Sequence, residues 1–190
     1  LESDSLVIAT GGLSFPNLGA TDFRYRIAQQ FGLKLIEPCP GLVPFTCHET
    51  EQAWFRELSG ISVDVQTSRN GMVFRENLLL THHGLSGPAI LQISNYGAAD
   101  DPIHIDLLPE QSAHQWLQTH RSSKRELASL LGEVLPRRFA QAWCERFAPS
   151  QPMKDYSPQH IQEISQKLHC WRFRPKGTEG YTKAEVTRGG

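Results

Sequence analysis

Two short stretches of this 190-residue chain gather glycine, hydroxyl and imidazole groups densely enough to suggest binding chemistry. The first is Thr10-Gly11-Gly12, directly after the apolar run Leu6-Val7-Ile8-Ala9. Glycines lack a β-carbon, so a turn built from them lets backbone N–H groups come close to a phosphate or a flat ring. An ordinary sharp turn uses the same residues, and short glycine motifs have low specificity. The second stretch is Thr81-His82-His83-Gly84-Leu85-Ser86-Gly87-Pro88, where two glycines and a proline force an unusual backbone path just before a helix start. Orphan amides and the dipole at such a start favour an anionic or carbonyl-bearing ligand, which makes Ser86 and the amides near Gly87 candidate binders. The plainer alternative is a serine that caps the helix beside two surface histidines.

Other chemistries find little support. Adjacent residues on an extended chain point to opposite faces, and no carboxylate or cysteine stands at ligand spacing from His82-His83, so no metal site is expected. Gly84-Leu85-Ser86-Gly87 is not the G-x-S-x-G elbow of a serine hydrolase. Cys39, Cys47, Cys144 and Cys170 form no C-x-x-C pair, which suits a reducing cytoplasm. Phe139, Trp143 and Phe147 recur every four residues, the ordinary way to bury a helix face rather than a stacking platform.

The elements that must position these residues fall into blocks. Leu6 to Ala9 reads as a buried strand leading into the glycine turn. Thr21 can cap a helix from about Asp22 to Phe31, with Phe23, Ile27, Ala28 and Phe31 on one face and Gly32 as its stop. Pro38, Pro40 and Pro44 then break regular structure and mark a boundary. From about Leu42 to Leu108 strand signals dominate: Ile61, Val63 and Val65 alternate with polar partners, Asn70-Gly71 suits a hairpin turn, and Ile103, Ile105 and Leu107 alternate again. Pro88 starts a short helix among them that Gly97 can end. From Pro109 to Leu168 the period is helical, in segments carrying Trp116 and Leu117, then Leu127, Leu130, Leu131 and Val134, then Phe139 to Phe147 after Pro136, then Ile161, Ile164 and Leu168 after Ser157-Pro158. The fold class is therefore α+β, a small β-barrel or sandwich with a helical lobe.

The formal net charge is −1, with both signs spread along the chain, which removes the electrostatic reason to expect nucleic acid or an anionic membrane as partner. No apolar run approaches the roughly eighteen residues of a spanning helix, and no secretory leader pattern opens the chain. The start at Leu1-Glu2 and the strand-like Ala184-Glu185-Val186-Thr187 before Gly189-Gly190 both read as edges of something larger.

Three blocks, in order, resemble the BaiN-like bacterial NAD(P)/FAD-dependent oxidoreductases. They are Ala9-Thr10-Gly11-Gly12-Leu13-Ser14-Phe15-Pro16 with Gly19 and the stretch to Gly41-Leu42-Val43-Pro44, then Leu80 to Ser94, then Ala184 to Gly190. The resemblance implies a barrel-and-helix domain inserted into a split Rossmann-like FAD domain, of which only edge pieces are present. Residues 1–36 would be one edge piece, 37–108 the inserted barrel, 109–170 the helical lobe and 171–190 the return segment. It further implies that Thr10, Gly11, Gly12, Thr187, Gly189 and Gly190 lie against the dinucleotide. The loop bearing His82, Gly84, Ser86 and Gly87 would then face flavin or substrate.

Arg24 stands where the resembled family commonly has a glycine, and the chain has no G-x-G-x-x-G, so FAD is expected in the whole protein but not to be retained by these residues alone. The implied partners are the remainder of the FAD domain, NAD(P)H and a small organic acceptor, with no nucleic acid and no membrane. No residue stands out as the catalytic acid or base. The alternative is an independent, non-catalytic module that binds a protein partner.

Overall fold

The computed structural model describes residues 3–190; Leu1 and Glu2, the start on which the edge reading partly rests, lie outside them. Helix α1 spans Phe23–Gln30, and strand β1 (Cys39–Gly41) precedes β2 (Phe45–Thr46) and helix α2 (Gln52–Glu57). Strands β3 (Ser62–Arg69), β4 (Met72–Thr81) and β5 (Gly84–Ser86) lead to α3 (Pro88–Ile93) and β6 (Ile103–Asp106). Helices α4 (Ala113–Thr119), α5 (Leu127–Leu131), α6 (Arg137–Phe147) and α7 (Pro158–His169) form the lobe, and β7 (Trp171–Phe173), β8 (Gly177–Thr178) and β9 (Val186–Arg188) complete the order.

Seven strands make one antiparallel sheet in the order β7-β6-β3-β4-β5-β2-β8. Laid flat, its outer strands would stand about 29 Å apart, six spacings of about 4.8 Å. Yet Phe173 and Gly177, which end β7 and start β8, are separated only by residues 174–176. That link reaches at most about 14 Å. The sheet must therefore curl until its ends approach, a barrel-like form that no β7–β8 pairing closes. The alternation read from the sequence sets the curl's inside: Val63, Val65, Thr67 and Arg69 of β3 are buried while Ser62, Asp64 and Gln66 are exposed. Asn70-Gly71 makes the two-residue hairpin loop, both residues at positive φ, with Arg69 paired to Met72.

Sheet and helical lobe share one core. Trp54 of α2 stands edge-on to Phe139 of α6 at 6.2 Å and to Trp171 of β7 at 5.8 Å, and its indole N–H donates to the Ala142 carbonyl at 3.3 Å. Each such aromatic contact adds about 0.5–1.5 kcal/mol beyond the area it buries. The ladder on α6 behaves as its spacing predicts, with Phe139 and Trp143 fully buried. Ser157 caps α7 by accepting from the His160 N–H.

One expected element does not form. Leu6 to Ala9 is irregular, and Leu6 and Val7 are 80% and 84% exposed. No described strand hydrogen-bonds to this run, so its β-propensity has no ladder to join. The apolar face of α1 is likewise open, with Phe23 and Phe31 exposed and only Tyr25 buried.

Candidate functional site

The glycine segments at the two ends of the sequence lie together. Strands β1 and β9 pair antiparallel, with Pro40 opposite Thr187, which brings Val186 to Arg188 back beside the start of the sheet region. The Thr187 hydroxyl then accepts from the backbone N–H groups of Leu13, at 2.8 Å, and Ser14, at 3.1 Å, and lies 3.0 Å from Ser14 Oγ. A β-carbon on Gly12 would stand 2.5 Å from Thr187 Oγ1, so this approach requires a glycine. Gly190 exchanges both backbone hydrogen bonds with Ile36, at 2.8 and 3.3 Å. Of the six residues assigned to the dinucleotide, Gly12 and Thr187 are thus in direct contact, and Gly189 and Gly190 pack on residues 36–37 and on Tyr25. Thr10 and Gly11 are exposed beside them.

A cavity of about 390 Å³ opens here, lined by Ile8, Arg24, Tyr25, Ile27, Ala28, Phe31, Leu33, Leu35, Gly189 and Gly190. Its walls are chiefly apolar, with one guanidinium among them. Arg24 lies over the Tyr25 ring, 4.5 Å from its centroid, and donates to the Tyr25 hydroxyl, while its Nε is buried without a partner. The departure at position 24 therefore lines the same cavity as Gly190, a role no local pattern announced. Ser14 is a second omission, because its partner Thr187 is 173 residues away.

The other predicted stretch lies on a different part of the fold. His82-His83 is the two-residue connection between β4 and β5, with Thr81 paired to Gly84. The Thr81 hydroxyl accepts from the N–H groups of His83, at 3.2 Å, and Gly84, at 3.1 Å. The two exposed imidazoles lie 3.9 Å apart, centroid to centroid. Ser86 belongs to β5, paired with Leu79, and the residue before α3 is Gly87, so the serine-cap alternative does not hold. The His82, Gly84, Ser86 and Gly87 group shares no hydrogen bond with the terminal glycine group among the described residues.

The remaining titratable groups of note are structural. Burial pushes the Cys144 thiol up to about 12 and raises Cys47 as well, so neither is an activated nucleophile. Arg69 is almost fully buried, its guanidinium depressed first by desolvation; it donates to the carbonyls of Ala98 and Asp101 and so clamps that loop. No group of three or more metal-ligating side chains occurs among the described residues. No helix among them is long and apolar enough to cross a membrane.

Comparison with known proteins agrees with this architecture. Residues 39–186 match the family described as HI0933-like protein barrel and H2TH domain. A Haemophilus influenzae protein named ribosomal RNA dihydrouridine synthase is 43% identical over 190 residues, covering 98% of this chain and 47% of its own length. An Escherichia coli protein of the same name is 44% identical over 191 residues, covering 98% and 48%. The chain spans about half the length of these curated relatives. On the extent of the family match and the barrel-like sheet joined to its helical lobe, the chain belongs to the HI0933-like protein barrel and H2TH domain family.

Proposed function

We propose that this chain is the barrel-and-helix part of an FAD-dependent reductase whose acceptor is a uracil base in RNA and whose reductant is a reduced nicotinamide. The observation that carries the flavin reading is the joining of two glycine-bearing segments 173 residues apart through the Thr187 hydroxyl. That junction brings both ends of the sheet-and-helix unit to one place, as an excursion from a nucleotide-holding domain requires. Beside it lies a largely apolar cavity with an unpartnered guanidinium nitrogen.

These residues fit one edge of a dinucleotide site. The space around Gly11 is open, and Arg24 offers a cation for an anionic group. Bound FAD supplies two-electron redox chemistry, and the protein supplies position and electrostatics. The exposed Leu6, Val7, Phe31, Leu33 and Ile36 form the surface on which the rest of the FAD domain packs. His82, Gly84, Ser86 and Gly87 are assigned to the acceptor side, where the barrel shapes the pocket and excludes water.

The choice of acceptor is supported by the relatives' name together with simple chemistry. Dihydrouridine differs from uridine by one hydride and one proton added across the ring C5–C6 double bond. The exposed His82-His83 pair is the first place to seek the proton donor. The overall charge of −1, which set nucleic acid aside in the sequence reading, is a sum over the chain and does not describe any one surface.

The test is to purify the full-length protein without added cofactor and record its visible spectrum, then to assay unmodified ribosomal RNA for dihydrouridine after addition of reduced nicotinamide. Flavin absorbance with dihydrouridine formation supports both halves of the reading. A colourless protein indifferent to FAD overturns the first, and a yellow protein that leaves uridine unreduced overturns the second. FAD titrated into residues 1–190 alone is expected to give weak or no saturable quenching, because most cofactor contacts belong to the remainder of the protein.

A further inference from the structure

We infer that the loop between α4 and α5, with the adjoining cleft between α5 and α6, is a phosphate-contacting surface for the RNA acceptor. The inference deepens the RNA reading above and rests on it. Arg121, Lys124 and Arg137 are exposed, and none has a carboxylate within ion-pair distance among the described residues. Arg125, between them, is held in place, 2.6 Å from Glu133 and donating to the Ser129 carbonyl and hydroxyl at 3.1 and 3.2 Å. Arg125, Ser129, Glu133 and Arg137 line a cleft of about 440 Å³.

The backbone fixes this arrangement. Ser123 N–H donates to the His120 carbonyl at 2.9 Å, and the loop is zipped to a second segment by Lys154 N–H to Ser123, at 2.9 Å, and Met153 N–H to Arg125, at 2.8 Å. Lys154 is thereby added to the same end of the lobe. Five cations, Arg121, Lys124, Arg125, Arg137 and Lys154, stand with three carboxylates, Glu126, Glu133 and Asp155, a local surplus of two positive charges on a chain whose total is −1. Screening acts over about 8 Å at physiological salt, so this local surplus, not the total, governs what meets the surface. Unpaired cations flanked by serine hydroxyls, on a pre-formed backbone, match what a sugar-phosphate chain needs for position without sequence readout.

The probe is a fluorescein-labelled RNA hairpin, titrated with full-length protein by anisotropy between about 50 and 200 mM NaCl. With about 0.7–0.9 in salt slope per phosphate contact, the Arg121→Gln/Lys124→Gln/Arg137→Gln variant should lose about 2–3 in slope and bind roughly a hundredfold more weakly, or worse, near 0.1 M salt. A matched control, Arg56→Gln/Arg172→Gln/Lys183→Gln, removes the same charge from exposed, unpaired cations elsewhere and should lose less than about one. Arg121→Gln/Lys124→Gln alone, which leaves α6 untouched, should show about two thirds of the effect. Equal slopes for wild type and the lobe variant, or an equal loss in the control, overturn the assignment while the RNA reading stands. Wild-type protein that fails to bind the hairpin at low salt overturns the RNA reading and this surface with it.

Discussion

Replacing Gly87 with alanine should be costly for a reason that has nothing to do with ligands. Gly87 has φ 88° and ψ 165°, a region that side chains other than glycine's avoid at a cost of about 1–3 kcal/mol. An added β-carbon would also lie 2.7 Å from the Asn77 carbonyl oxygen and 2.8 Å from the Leu79 N, both backbone atoms of the central strand β4. These cannot rotate away, so β4 and β5 must separate by several tenths of an ångström around the Leu79–Ser86 pair, weakening ladder hydrogen bonds worth about 0.5–1.5 kcal/mol each. The sum is about 2–5 kcal/mol. Gly71 is the internal reference: its φ is 79°, but nothing lies within 4 Å of its added β-carbon, so Gly71→Ala should cost only the left-handed penalty of about 1–2 kcal/mol. Urea unfolding of both variants, followed by circular dichroism, measures the difference. At about 2–4 °C per kcal/mol, the gap should also appear as a melting difference of several degrees. If Gly87→Ala is no less stable than Gly71→Ala yet FAD or acceptor binding in the full-length protein is lost, the steric argument is refuted and the glycine serves a ligand.

Thr187→Val removes the acceptor shared by Leu13 and Ser14; with water partly able to replace it, the loss should be about 1 kcal/mol, seen as faster amide hydrogen exchange at residues 13–14 and weaker FAD retention in the full-length protein, whereas Thr187→Ser should keep both. Cys144 gives a pH prediction. Its folded-state value, raised to about 12 by burial, lies above that of the unfolded thiol, so the folded protein holds a proton the unfolded chain gives up. Stability is full below the ordinary thiol value of 9.0 and falls as pH rises towards 12, by at most about 4 kcal/mol. Urea midpoints measured across that alkaline range should fall more steeply for wild type than for Cys144→Ala, with burial of Tyr156, also raised to about 12, leaving a residual slope.

The parts of this fold that local chemistry dictates were legible from the residues alone. Asn70-Gly71 demanded a hairpin, Pro88 and Ser157-Pro158 opened helices, Gly32 ended α1 at φ 69°, and the four-residue aromatic spacing placed Phe139 and Trp143 in the core. Each rests on backbone sterics or on a periodicity carried within a few residues. What depended on distant partners could not be read that way. Leu6 to Ala9 has strand propensity but no described strand to pair with, the sheet curls because a three-residue link must join its two ends, and Thr187 meets Ser14 only because β9 returns to β1. The same holds for the unpaired cations of the helical lobe, scattered from Arg121 to Arg137 in a nearly neutral sequence. Composition averages charge over the chain, and only the packing of α5 on α6 and the zipped loop bring those side chains to one surface.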